Sequence, residues 1–304
     1  MFTALLLKVL PLYITMLIGY IAGKYLKADR NSISHILFYV MSPLVVLNGI
    51  STTELNIQVI SLPILIWFIG STISLIVYCG SALLYKDNTR NILAFSSGST
   101  SMGYFGLPVA IALFDEKTIA IYIVCYVGML LFENSIGFYI AANGIYTAKE
   151  CLIKLAKIPS SYAMIAGLVM HCFDFSMPDF LFDFMTNIRS TFMILGTMLL
   201  GICVSNIKSF NIDWKLVFVT VITKYVFWPL VVLGLILLDK ATLKLYSNNI
   251  YKALILLAVV PISGSGIIIA NVLNYQPDRI TIVLLISSII GLFYVPLMIS
   301  LLLY

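Results

Sequence analysis

Two stretches, Ser96–Pro108 (SSGSTSMGYFGLP) and Pro261–Gly266 (PISGSG), interrupt sequence that is otherwise almost continuously apolar. Proline lacks a backbone N–H and crowds the preceding turn, and glycine gives up helical order easily. In hydrocarbon, the polar groups freed by such breaks are costly unless protein, a cavity or a ligand satisfies them. In the first stretch Ser96, Ser97, Ser99, Thr100 and Ser101 surround Gly98, and Gly103 and Gly106 precede Pro108. In the second, Ser263 and Ser265 alternate with Gly264 and Gly266 after Pro261. One such break reads as a kink or a close-packing site. Two at matching places read as the walls of a binding site.

The surrounding composition sets the class. The chain has 304 residues, 61% hydrophobic and 10% charged, with mean hydropathy +1.06, which is far from any soluble domain. It reads as an all-α polytopic membrane protein. A helix needs about 20 apolar residues to cross the bilayer core. Ten such spans are read at 4–23, 33–51, 60–84, 90–114, 118–145, 160–173, 188–206, 214–238, 249–273 and 279–303. The first is expected to be retained: Lys24, Lys27 and Arg30 follow it, without an Ala-x-Ala cleavage pattern.

Ten spans in a single membrane domain, 1–304, divide into five-helix halves at 1–148 and 160–304, joined by a short charged linker near 146–159. An odd number of crossings forces the second half to enter the membrane the other way round, which is an inverted repeat. Pro108 falls in the fourth span and Pro261 in the ninth, the fourth of its half. Half-helices starting near Leu107 and Ile267 would aim positive dipole ends and free N–H groups at the bilayer middle, an arrangement suited to an organic anion.

Lys24, Lys27, Arg30, Lys86, Arg90, Lys149, Lys154, Lys157, Lys208, Lys215 and Arg279 fall in the odd connections, against Lys117, Arg189, Lys240, Lys244 and Lys252 in the even ones. This bias places the odd loops in the cytoplasm and both termini outside, in a cytoplasmic (inner) membrane. The net charge of +5 follows from it and suggests an anionic leaflet, not nucleic acid. Five cysteines without a CxxC, two dispersed histidines and no GxxxxGK[ST] loop leave no material for a metal site, a cofactor site or that route of ATP hydrolysis.

Two charges lie deep in spans, where charge is costly enough to invite a functional reading. Glu133, beside Asn134, shares a helical face with Gly137, Ala141 and Gly144, so it is expected to point into protein. It either takes up a proton during a transport cycle or makes a structural pair or backbone hydrogen bond. Lys224, just before Trp228 and Pro229, either neutralises an anionic substrate or serves structure, including by snorkelling. Asn48 and Asn271 are further interior polar groups, each as apt to hold helices together as to touch substrate. Asp174, Asp179 and Asp183 read as a solvated loop.

In order and spacing, the chain resembles the auxin efflux carrier family, which includes bacterial transporters and the plant PIN carriers. The resemblance lies in Gly19-Tyr20 with the basic turn that follows, Ser42-Pro43-Leu44, Gly103-Tyr104-Phe105-Gly106-Leu107-Pro108, Ile158-Pro159, Gly167, Lys224 with Pro229, and Pro261 with Ala270. It implies a fold like that of the bile acid/sodium symporters: a 5+5 inverted repeat with crossing, broken helices 4 and 9. Helices 1, 2, 6 and 7 would form a scaffold and helices 3–5 and 8–10 a transport domain, moving like an elevator in a homodimer. It implies small organic anions as substrates, dicarboxylates such as malate or malonate in bacterial members and auxin in plants. The short segment after span five is similar to bacterial members. Ser101 stands where the family has a crossover Asn, and Gly266 where PIN carriers have a second Pro.

The combined reading is a secondary carrier whose pocket forms where 97–108 and 261–266 meet. Ser97, Ser99, Thr100, Ser101, Ser263 and Ser265 would supply hydroxyls. The glycines Gly103, Gly106, Gly264 and Gly266 would give backbone access beside Pro108 and Pro261. Without an acidic cluster at the crossover, a proton or uniport is more economical than sodium. A channel with a hydroxyl-lined filter and a non-transporting sensor are the rivals. An intramembrane enzyme lacks paired acids or a Ser-base pair.

Overall fold

Three prolines decide where the helices change pitch. Pro43, Pro108 and Pro229 are each preceded by a π-helical turn, at Ile36–Met41, Met102–Gly106 and Thr223–Phe227. A proline cannot serve the carbonyl four residues back, and its ring crowds that carbonyl. A wider turn relieves the crowding, and a side chain can then satisfy the stranded oxygen: the Tyr294 hydroxyl donates to the Tyr225 carbonyl at 2.5 Å, four residues before Pro229.

The computed structural model describes residues 2–51, 56–142, 149–150, 153, 159–173, 178–207, 211–272 and 275–303, and every regular element among them is helical. In chain order these are α1 (Phe2–Tyr25), α2 (Arg30–Ser51), α3 (Ile57–Ser81), α4 (Thr89–Gly98), α5 (Leu107–Leu113), α6 (Glu116–Ala141), α7 (Pro159–Cys172), α8 (Asp179–Ser205), α9 (Trp214–Ala241), α10 (Asn248–Val259), α11 (Ser265–Val272) and α12 (Pro277–Leu302). Seven of them, α1, α2, α3, α6, α8, α9 and α12, are long and apolar enough to cross a membrane, so the protein is a multi-pass membrane protein. The spans read at 90–114, 160–173 and 249–273 are occupied by shorter helices, and the first and last of these are broken at the Ser/Gly stretches. The 146–159 linker lies mostly outside the described residues.

Helices in lipid are drawn together by close packing, not by burial of apolar surface. The α1–α8 contact shows how. Gly19 and Gly23 lie four residues apart on α1, and a Cβ at Gly19 would come within 2.7 Å of the Met198 Cα on α8. On α8, a Cβ at Gly201 would come within 2.6 Å of the Tyr20 nitrogen. The opposite face of α1 carries exposed Leu10, Ile14, Leu17 and Ile21, as lipid contact requires. α2 packs along α7 and α8, and α3, α4, α6, α9, α10, α11 and α12 pack largely among themselves, with α1 also against α12 and α2 against α6.

Side-chain oxygens cap several helix starts. Asp29 caps α2 through the Ser32 nitrogen at 2.9 Å. Asn56 caps α3 through the Val59 nitrogen at 2.9 Å. Asp213 caps α9 and also accepts from the Tyr85 hydroxyl at 2.9 Å. The α6 face expected to run on from Glu133 through Gly137 and Ala141 is interrupted. Asn134 and Ser135 turn their side chains back on the carbonyls of Leu130 and Leu131 at 2.8 and 2.5 Å, competing with the helical ladder. Ser135 leaves helical geometry at φ −120°, ψ −102°.

Candidate functional site

α4 ends at Gly98 and α10 at Val259, and each is followed by extended backbone, Ser99 at φ −94°, ψ 153° and Val260 at φ −70°, ψ 155°. The extended pieces pass each other, and the Ser101 N–H donates to the Pro261 carbonyl at 2.9 Å. Two residues 160 positions apart in sequence thus form one junction. Both breaks are buried, Ser97 and Ser99 completely, Ser101 to 4% exposure and Ser263 to 6%.

Helix ends inside a membrane leave carbonyls at one end and N–H groups at the other. The carbonyl ends are served by α9. The Trp228 indole N–H donates to the Ser97 carbonyl at 2.8 Å. Lys224 Nζ, wholly buried in the π turn, donates to Thr100 Oγ1 at 2.8 Å and to the Leu257 carbonyl at 3.2 Å. Thr100 in turn donates to the same Leu257 carbonyl at 3.1 Å. Lys224 Nζ also lies 4.7 Å from the centre of the Trp228 ring, within cation–π range. No carboxylate pairs with it among the described residues.

At the amide end of α11, Ser263 Oγ accepts from the Ser265 N–H at 3.2 Å and donates to Ser265 Oγ at 2.9 Å. Ser265 then donates to Glu133 Oε2 at 2.7 Å. The interior acid therefore sits where the helix dipole is positive and Lys224 where it is negative. Glycines make the approach: a Cβ at Gly98 would meet the Gly70 carbonyl and Phe132 at 2.6 Å. One at Gly103 would meet the Tyr126 hydroxyl at 2.9 Å, and one at Gly266 would meet Ser96 Oγ at 3.1 Å. Gly106 donates its N–H to the Ser101 carbonyl at 2.8 Å, which seats Pro108 at the start of α5.

Several polar atoms here are left over. The hydroxyls of Ser96, Ser97 and Ser101, with Glu133 Oε1, are buried and make no hydrogen bond within the described structure. Each such group costs of order 1–3 kcal/mol when nothing satisfies it. A polar ligand at the junction would recover that cost.

A cavity of about 130 Å³ reaches the junction at Tyr104 and Gly264, and Arg30, His35, Leu200 and Cys203 line it on the way to the start of α2. Asn48 lies elsewhere, in a larger cavity bounded by α2, α3, α6, α8 and α10 that contains no residue of either break. Lys224, Glu133 and the residues of both breaks come together, and Asn48 does not join them. Arg30 and Trp228 were not legible as site residues. Arg30 counts in the sequence only as a loop charge, while Trp228, one turn after Lys224 and just before Pro229, carried a signal in its spacing.

Residues 4–142 match the family described as membrane transport protein. The uncharacterized transporter MJ1031 of Methanocaldococcus jannaschii is 24% identical over 223 residues, covering 69% of this chain and 72% of that one.

Proposed function

We propose, for a chain similar over residues 4–142 to a family of membrane transport proteins and over 223 residues to an uncharacterized transporter, an auxin efflux carrier-type secondary carrier of small organic anions whose substrate sits at the junction of the two broken helices. The observation that carries this reading is the Ser101–Pro261 hydrogen bond, with unsatisfied Ser96, Ser97 and Ser101 hydroxyls around it. Lys224 beside Thr100, lacking a carboxylate among the described residues, favours a substrate that brings one. A small dicarboxylate such as malate or malonate fits this chemistry.

In this reading the ten spans form a 5+5 inverted repeat, and α1, α2, α7 and α8 are the scaffold. The other helices move against it as an elevator, across the contacts that α1 makes with α12 and α2 with α6. Both termini lie outside. Coupling is to protons or absent: Glu133, held by Ser265, is the group placed to follow substrate occupancy at the amide end of α11.

Counterflow tests the reading directly. Proteoliposomes loaded with unlabelled malate should accumulate labelled malate transiently, and external malonate should suppress the accumulation. A channel equilibrates label without an overshoot, so monotonic filling would replace the carrier with a pore. Absence of any exchange with malate, malonate, succinate or citrate, in folded protein, would remove the dicarboxylate class.

A further inference from the structure

A cavity of about 430 Å³ lies away from the junction, between α8 on one side and α3, α6 and α10 on the other. Its lining is polar for a membrane protein: Asn48, Asn56, Gln58, Lys117, Thr186 and Arg189 all contribute. Three helices begin at its rim, at Ile57, Glu116 and Asn248, so their positive dipole ends add to Lys117 and Arg189. The junction hydroxyls do not reach it.

Within this cavity Arg189 of α8 holds Glu116 of α6 by both prongs, Nη1 to Oε2 at 3.1 Å and Nη2 to Oε1 at 3.3 Å. The partners are unequal. The Arg189 side chain is 16% exposed, the Glu116 side chain 77%. The guanidinium is thus a fixed, largely buried fork shaped for a carboxylate, and the carboxylate in it is a solvated side chain that can leave at little cost.

We propose that Arg189 is a carboxylate-binding residue of an outlying substrate site, and that Glu116 is its resident stand-in, displaced when an organic anion arrives. The substrate class rests on the carrier reading above; the site rests on the cavity and the fork. A dicarboxylate would place one carboxylate on Arg189 and the other near Lys117 and the polar lining. Because the ion pair joins α8 to α6, displacement also removes a tie between the two helix groups. Substrate on this face would therefore unlock the helices that have to move.

Phenylglyoxal, which modifies arginine side chains, reports on Arg189 without mutating it. The purified protein is treated with the reagent over a series of malonate concentrations, and modification of the Arg189 peptide is followed by mass spectrometry. Malonate should protect Arg189, whereas malonamide, equal in size but uncharged, should not. Glu116→Gln, a change at an exposed side chain, should speed modification without ligand and lower the half-protecting malonate concentration by roughly fivefold, as expected for loss of a weak internal competitor. Failure of malonate to protect, equal protection by malonamide, or an unchanged half-protecting concentration in Glu116→Gln would each overturn the proposal. Counterflow in the same preparation keeps the two readings apart. Protection without exchange would retain the site and remove the carrier, and exchange without protection would do the reverse.

Discussion

Lys224 carries more of the junction than any other side chain, because it ties together residues from three parts of the chain: its own π turn, Thr100 and Leu257. Lys224→Met keeps most of the volume and removes the donor. The Leu257 carbonyl retains only the Thr100 hydroxyl, and the protein should lose about 2–3 kcal/mol, seen as a lower unfolding midpoint in detergent. Thr100→Val, which removes one hydroxyl at constant shape, should cost less and add non-additively to Lys224→Met, since the two share an acceptor. Glu133 makes a contrasting case. Glu133→Gln keeps an oxygen to accept from Ser265, so folding and counterflow at fixed pH should persist. Uptake driven by a pH gradient should be lost, and a variant in which such a gradient still drives accumulation of substrate would exclude Glu133 as the coupling group.

At the scale of elements, close contact at glycines sets the geometry more than hydrophobic matching does. Gly19→Leu should push α1 away from Met198 and lower the yield of folded protein sharply, whereas Leu17→Ala on the exposed face of α1 should leave folding unchanged. Size-exclusion profiles of the two variants check this. The helical class and the two breaks were legible in the sequence because Pro and Gly act locally, on the turn that contains them. That the breaks touch was legible only through the repeat, since matching positions in two halves imply a meeting point. The bend at Ser135 was not legible: Asn and Ser inside an apolar run are compatible with an unbroken helix until their side chains are seen to bond the carbonyls behind them. Asn48 read as an interior polar group as apt to hold helices together as to touch substrate, and α2 carries it to the other cavity. Depth in a span can be read from sequence, but the side of a helix that faces a given neighbour depends on packing.

At the scale of the molecule, the two cavities at opposite helix ends relate differently to the junction. The 130 Å³ cavity reaches Gly264 and Tyr104 from the start of α2, while the 430 Å³ cavity, rimmed by the starts of α3, α6 and α10, does not contact the breaks. The proposed carrier requires a site open to one side while closed to the other, which a pore lacks. Gly264 is the position to test it. A Cβ there would meet Leu200 Cδ2 at 3.3 Å and otherwise only ordinary contacts, so Gly264→Cys is tolerable once the five native cysteines are replaced. In proteoliposomes, a membrane-impermeant thiol reagent should modify this cysteine from the face bearing residues 26–30 and leave it unmodified from the other. Malate at saturating concentration should redistribute access, slowing modification from the first face and allowing it from the second as the bundle moves. Modification from both faces at equal rates without substrate would describe a continuous water path, and the crossing helices would then line a channel.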